Sequence, residues 1–138
     1  MILSDVSSYL SVTVLYEDLD MQEIEVQACN GTFAGTAALY VSYGELAALA
    51  KQLEGFPKTI TQEEVVRFAD YGLTHLIQMT FQCVGGVGYA AVKVVLESGN
   101  QRVEMGVGFS PSEMDDFCRQ LASVAEGKYR QAVLGTTS

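Results

Sequence analysis

The chain is poor in the residues that most active-site chemistry needs. It has one histidine, three cysteines and two prolines in 138 residues. With a single histidine, Ser–His or Cys–His nucleophile chemistry and any histidine-based metal site must run through His75. No CxxC or HxxxH spacing occurs, so no metal-ligand pattern is offered. Cys29, Cys83 and Cys118 are widely spaced and set in apolar runs, and read as reduced, buried cysteines of a cytoplasmic protein. A reactive thiolate needs cationic neighbours, and only Arg119 stands close to one of them. Two prolines exclude a Pro-rich linker protein. The first residues, MILSDVSSYLSV, lack a basic region followed by an apolar core and do not read as a signal peptide. No apolar run approaches the ~20 residues that span a bilayer.

Positive charge is also scarce. Lys and Arg number 8 against 17 Asp and Glu, for a net charge of −9. Such a field repels phosphate backbones, which argues against nucleic acid and favours a basic partner. What is plentiful is apolar content, 49% against 18% charged residues. These values are those of a globular domain. A chain of this length buries roughly two thirds of its unfolded surface, so residues 1–138 read as one domain with a real core.

The order of residues gives the fold class. Residues 8–17 alternate, with Leu10, Val12, Val14 and Tyr16 on one face. Residues 22–29 place Ile24, Val26 and Ala28 together, and residues 32–41 place Phe33, Ala37, Leu39 and Val41 together. Period two predicts half-buried strands of an antiparallel sheet. Asn30–Gly31 between two such runs predicts a two-residue hairpin turn. The period then changes: Leu46, Leu49, Ala50 and Leu53 follow helical spacing, with Ser42 and Glu45 as a capping box and Gly55 and Pro57 as the stop. Residues 58–71 are ambiguous. Thr61 and Glu64 fit a helix cap, Val65, Val66 and Phe68 fit a strand, and a short extended segment is the reading taken.

The second half resembles the first. Residues 74–84 put Ile77, Met79, Phe81 and Cys83 on one face; residues 87–97 put Ala90, Val92, Val94 and Leu96 inward. Residues 101–109 do the same with Val103, Met105, Val107 and Phe109. A helix follows at 111–127, with Met114, Phe117, Cys118, Leu121 and Val124 as its apolar stripe. Ser110 and Glu113 form a second capping box, and Pro111 takes the first helical position. Residues 130–138 read as a frayed tail. Val41-Ser42-x-x-Glu45-Leu46-x-x-Leu49-x-x-Gln52-Leu53 matches Phe109-Ser110-x-x-Glu113-Met114-x-x-Phe117-x-x-Gln120-Leu121. Either an internal β-β-β-α duplication, residues 8–55 and 74–127, or the common demands of a strand-to-helix join accounts for this match. The expected fold is α+β: about six antiparallel strands in sequential hairpins, with two amphipathic helices packed on one face.

Candidate sites are few. Gly85-Gly86-Val87-Gly88 lacks a following helix or P-loop lysine and reads as a hairpin turn, not a phosphate cradle. His75 starts a strand, alone among metal-type ligands, and reads as structural. Glu17, Asp18, Asp20, Glu23 and Glu25 form the densest acidic patch, at the first hairpin. Leu19 and Met21 interrupt it and the loop is too short for calcium. The plain account is a solvated hairpin tip, and the functional account is a docking surface for a basic protein. Ser11, Thr13, Gln22, Gln78, Thr80 and Gln82, with Tyr9 and Tyr40, suggest a wet sheet face that suits protein binding. No carboxylate pair shows the contrast of environments that acid–base catalysis needs. No catalytic, cofactor-binding or metal residue is therefore assigned, and no cofactor or membrane is expected.

The helix entries at Val41-Ser42-x-x-Glu45-Leu46-x-x-Leu49-x-x-x-Leu53 and Phe109-Ser110-x-x-Glu113-Met114-x-x-Phe117-x-x-x-Leu121 flank a connecting segment with Phe68 and Asp70. This order resembles the small bacterial immunity proteins associated with wall-associated polymorphic toxins, over residues 8–126. The resemblance implies a cytoplasmic, non-enzymatic protein that neutralises a toxin by binding it, and it carries over no catalytic residue. The expected function is protein binding through the acidic hairpin. The alternative is a small-ligand carrier or minor enzyme, with a pocket between sheet and helices lined by Met79, Phe81, Met105 and Phe117 and approached by His75. A third reading is a homo-oligomer joined through an exposed edge strand.

Overall fold

Alternating runs become strands and helical spacing becomes helices along the described residues. The computed structural model describes residues 8–70, 72, 74–84 and 89–136. In order, the elements are β1 (Ser8–Glu17), β2 (Met21–Cys29), β3 (Ala34–Ser42), α1 (Glu45–Leu53), β4 (Glu63–Ala69), β5 (His75–Cys83), β6 (Ala90–Ser98), β7 (Gln101–Phe109), α2 (Pro111–Ala125) and β8 (Gln131–Thr136). The fold is α+β, with every strand pair antiparallel. The strands form two four-stranded sheets, β3-β2-β1-β8 and β4-β5-β6-β7.

Two strands exceed the expected six. The ambiguous segment becomes β4, where Val66 and Phe68 are buried beside Met79 and Ile77 of β5. The expected frayed tail is instead β8. Ala132 and Leu134 alternate into the core, and the ladder with β1 runs from Ser8↔Thr136 to Thr13↔Gln131. Gly135 permits this closure. Its φ is +104°, and a Cβ there would run into the Ser8 carbonyl oxygen. Residues 137 and 138, like the glycine stretch 85–88, lie outside the described residues.

The order β-β-β-α-β occurs twice. The last strand of each unit pairs with the first strand of the other, β4 with β5 and β8 with β1. Each unit thus extends one strand beyond the 8–55 and 74–127 expected. The helices lie side by side, α1 beside β4 and α2 along β8. Both send glutamines to these strands. Gln120 Oε1 accepts the Val133 N–H at 2.8 Å, and its Nε2 reaches the Val133 carbonyl at 3.5 Å. Gln52 Nε2 donates to the Val65 carbonyl at 3.3 Å, and both glutamines reach 13 residues ahead. The apolar faces of both sheets and both helices share one core, centred on Phe56, Phe81 and Phe109 with ring centroids 6.2–6.4 Å apart.

Local chemistry departs from expectation at several points. Ser110 and Glu113 make the reciprocal capping box, with the Ser110 N–H donating to Glu113 at 2.8 Å. Ser42 and Glu45 do not. Gly44 is the N-cap of α1, and the Ser42 hydroxyl donates to Glu45 at 2.9 Å. Asn30 and Gly31 open a four-residue loop, because Asn30 Oδ1 accepts the N–H groups of Thr32 and Phe33. Phe33 therefore sits exposed in the loop. Ser11 and Gln22 are buried, not wet. Gln22 has the parity of Ile24, so it faces inward. Cys29, Cys83 and Cys118 are only partly buried, and none forms a disulfide. Burial first, then the charges of Asp115 and Glu54, push the Cys118 thiol up to about 11, which keeps it protonated.

Candidate functional site

A β-bulge decides what the acidic hairpin presents. The β1–β2 register shifts between Val14 and Tyr16. Up to Val14 the even residues of β1 face the core. The extra residue turns Tyr16 outward, where strict alternation expected it to be buried. Tyr16 then stands opposite Glu23, and Glu23 stands opposite Tyr40. The outer face so carries a cross-strand row Tyr16–Glu23–Tyr40, with both tyrosines about half exposed. Leu19, 96% exposed at the tip, and Met21 lie next to it.

The five expected acidic residues play different parts. Asp18 is a turn cap: its Oδ1 accepts the N–H groups of Asp20 and Met21, both at 2.9 Å. Those two bonds hold its carboxyl below the ordinary value. Its carbonyl accepts the Tyr43 hydroxyl. Desolvation first, then the charges of Glu17 and Asp18, raises the Tyr43 phenol above its usual value. Glu17 accepts from Gln22 at 3.3 Å and lies 3.6 Å from Arg130. Among the described residues, no ion pair engages Asp20, Glu23 or Glu25. These three form the uncompensated part of the patch. The sequence identified the acids and placed Tyr40 on the wet face, but missed Tyr16, because the bulge that exposes it has no local signature.

Beside this face runs a groove of about 710 Å³, between the side of β3 and the β4–β5 turn. Its walls include Met21, Glu23, Tyr40, Glu45, Asp70 and His75. Asp70 is saturated there. It accepts the Thr74 hydroxyl at 2.6 Å, the Thr74 and His75 N–H groups at 2.8 and 3.0 Å, and lies 3.1 Å from His75 Nδ1. The Thr74 hydroxyl first, then the His75 N–H, hold its carboxyl well below the usual range. His75 and Asp70 thus staple the turn.

The side chains expected around an internal ligand pocket are core residues. Met79, Phe81 and Phe117 are fully buried and Met105 nearly so, all within one core cluster. Among the described residues no three His, Cys, Asp or Glu side chains gather as a metal site, and no helix is long and apolar enough to cross a membrane. No family model, curated protein or solved structure matches this chain, so the reading of its function rests on the geometry of the acidic, aromatic face.

Proposed function

We propose that the protein is a non-enzymatic binding domain that takes a basic protein partner on the acidic hairpin face. One observation carries the reading: Glu23 lies between the exposed Tyr16 and Tyr40, beside Leu19 and Met21. Tyrosines supply contact area at low entropic cost, and a carboxylate between two rings suits an arginine or lysine of the partner. The net charge of −9 steers a basic partner to it. The resemblance to toxin-immunity proteins makes a toxin domain the partner and masking of that domain the function. Three cysteines outside disulfides fit a reducing compartment, the cytoplasm.

The test is capture of partners from lysate of the source cells at low and physiological salt, with wild type and with Asp20→Lys/Glu23→Lys/Glu25→Lys. One stoichiometric basic protein, lost with salt and lost with the triple variant, is the expected result. A folded triple variant that retains its partner, or a folded wild type that retains none, overturns the reading.

A further inference from the structure

The four edge strands of the two sheets are treated differently. The sides of β4 and β8 away from their ladders receive Gln52 and Gln120, which occupy the Val65 carbonyl and both main-chain groups of Val133. The β7 strand carries Arg102 and Glu104, both in ion pairs, and two glycines, Gly106 and Gly108. Charges and covering side chains are usual means of blunting an edge. On β3 only the last outward group, the Ser42 N–H, is taken, by Glu45 of α1. Its nine residues, AGTAALYVS, include no charge and no proline, and its ladder with β2 runs without a shift.

Its open main-chain groups can be assigned. The Asn30 N–H donates to the Phe33 carbonyl, so odd-numbered β3 residues turn their polar groups toward β2. The Ser42 N–H donates away from the ladder to Glu45, which agrees. Thr36, Ala38 and Tyr40 therefore direct their N–H and C=O groups outward. β3 pairs with β2 alone among the described residues. Ala38 and Tyr40 border the 710 Å³ groove, whose other walls bring the carboxylates of Glu23, Glu45 and Asp70.

We infer that β3 accepts an added strand: an extended, basic segment of the partner pairs with Thr36, Ala38 and Tyr40 along this groove. The main-chain bonds would supply affinity, and Glu23 and Glu45 would select lysine or arginine at alternate positions. A second copy of the chain suits the edge less, because two such grooves would set like charges together in molecules of net charge −9. This inference rests on the acidic-face reading for the chemistry of the occupant, but not for the open edge.

The probe is a blocked, alternating lysine–valine peptide, compared with its backbone N-methylated form and with a glutamate–valine peptide. Binding and amide exchange are followed by NMR on the full chain. The expected result is binding of the lysine peptide alone, with slowed exchange at Thr36, Ala38 and Tyr40. Ala38→Pro, which removes an outward N–H, should weaken binding by about tenfold or more. Glu23→Lys should weaken it too, with the fold intact. Equal binding of the N-methylated peptide, absence of binding, or protection elsewhere overturns strand addition and leaves the acidic face untouched. Equal binding of the glutamate peptide at the same amides overturns the basic occupant and, with it, the charge reading beneath. Protection that grows with protein concentration without peptide gives the edge to a second copy and also overturns the inference.

Discussion

At the scale of the residue, most polar side chains near the acidic hairpin serve the fold. Asp70 accepts from three groups of Thr74 and His75 and binds the His75 ring as well. Its carboxyl titrates below its ordinary 3.8 in the folded chain. A carboxyl depressed by folding stabilises fully above its unfolded value, and that contribution fades as pH falls through the folded one. Asp70→Ala should therefore lower stability at neutral pH and make the acid limb of the stability profile shallower below about pH 4. Urea midpoints of both proteins across the acid range check this. Parallel profiles would mean that the turn draws nothing from the charge. Asp18 behaves alike, which is why only Asp20, Glu23 and Glu25 remain for a partner.

At the scale of the element, each helix guards the strand that follows it. Removing the Gln120 amide leaves a partly buried N–H and C=O of Val133 without partners, at a cost of about 1–2 kcal/mol. Gln52→Ala should cost less, since it loses a 3.3 Å bond to one carbonyl and one to Glu64. Denaturant unfolding ranks the two, and equal losses would contradict the difference in geometry. The tail gives a second comparison. Leu134 is fully buried in β8, so Leu134→Ala should destabilise by about 2–4 kcal/mol. A frayed tail would show no effect. The strands and helices themselves were legible from period two and period 3.6. Their ends were less so. The Ser42-x-x-Glu45 pattern promised a cap, but Gly44 took that place and left Glu45 bonded to the Ser42 hydroxyl.

At the scale of the whole molecule, the charge excess is spread over a surface whose own basic groups are largely consumed. Lys93, Arg102, Arg119 and Arg130 all pair with carboxylates of the same chain. The field left at the hairpin face should raise the association rate with a basic partner. That rate should fall by about tenfold or more between low and high salt, with the dissociation rate little changed. Stopped-flow association over a salt series measures it. A salt-independent rate would move the recognition to the apolar tip at Leu19.

The class of fold and most of the core were legible in the sequence. Alternation and helical spacing are local, and burial follows them at Leu10, Val26, Val94, Leu49 and Phe117. The sequence also set the excess of acid and its densest position. Tertiary structure alone decided the partition into two sheets and the exchange of β4 and β8 between the units, because strand pairing joins residues far apart in the chain. It decided that residues 131–136 form a strand, since their short alternation has meaning only against the open side of β1. It decided that Tyr16 faces solvent beside Glu23, since a bulge is set by pairing and not by composition. It also left Thr36, Ala38 and Tyr40 on an edge with no neighbouring strand, which depends on where each element comes to lie after the chain has folded.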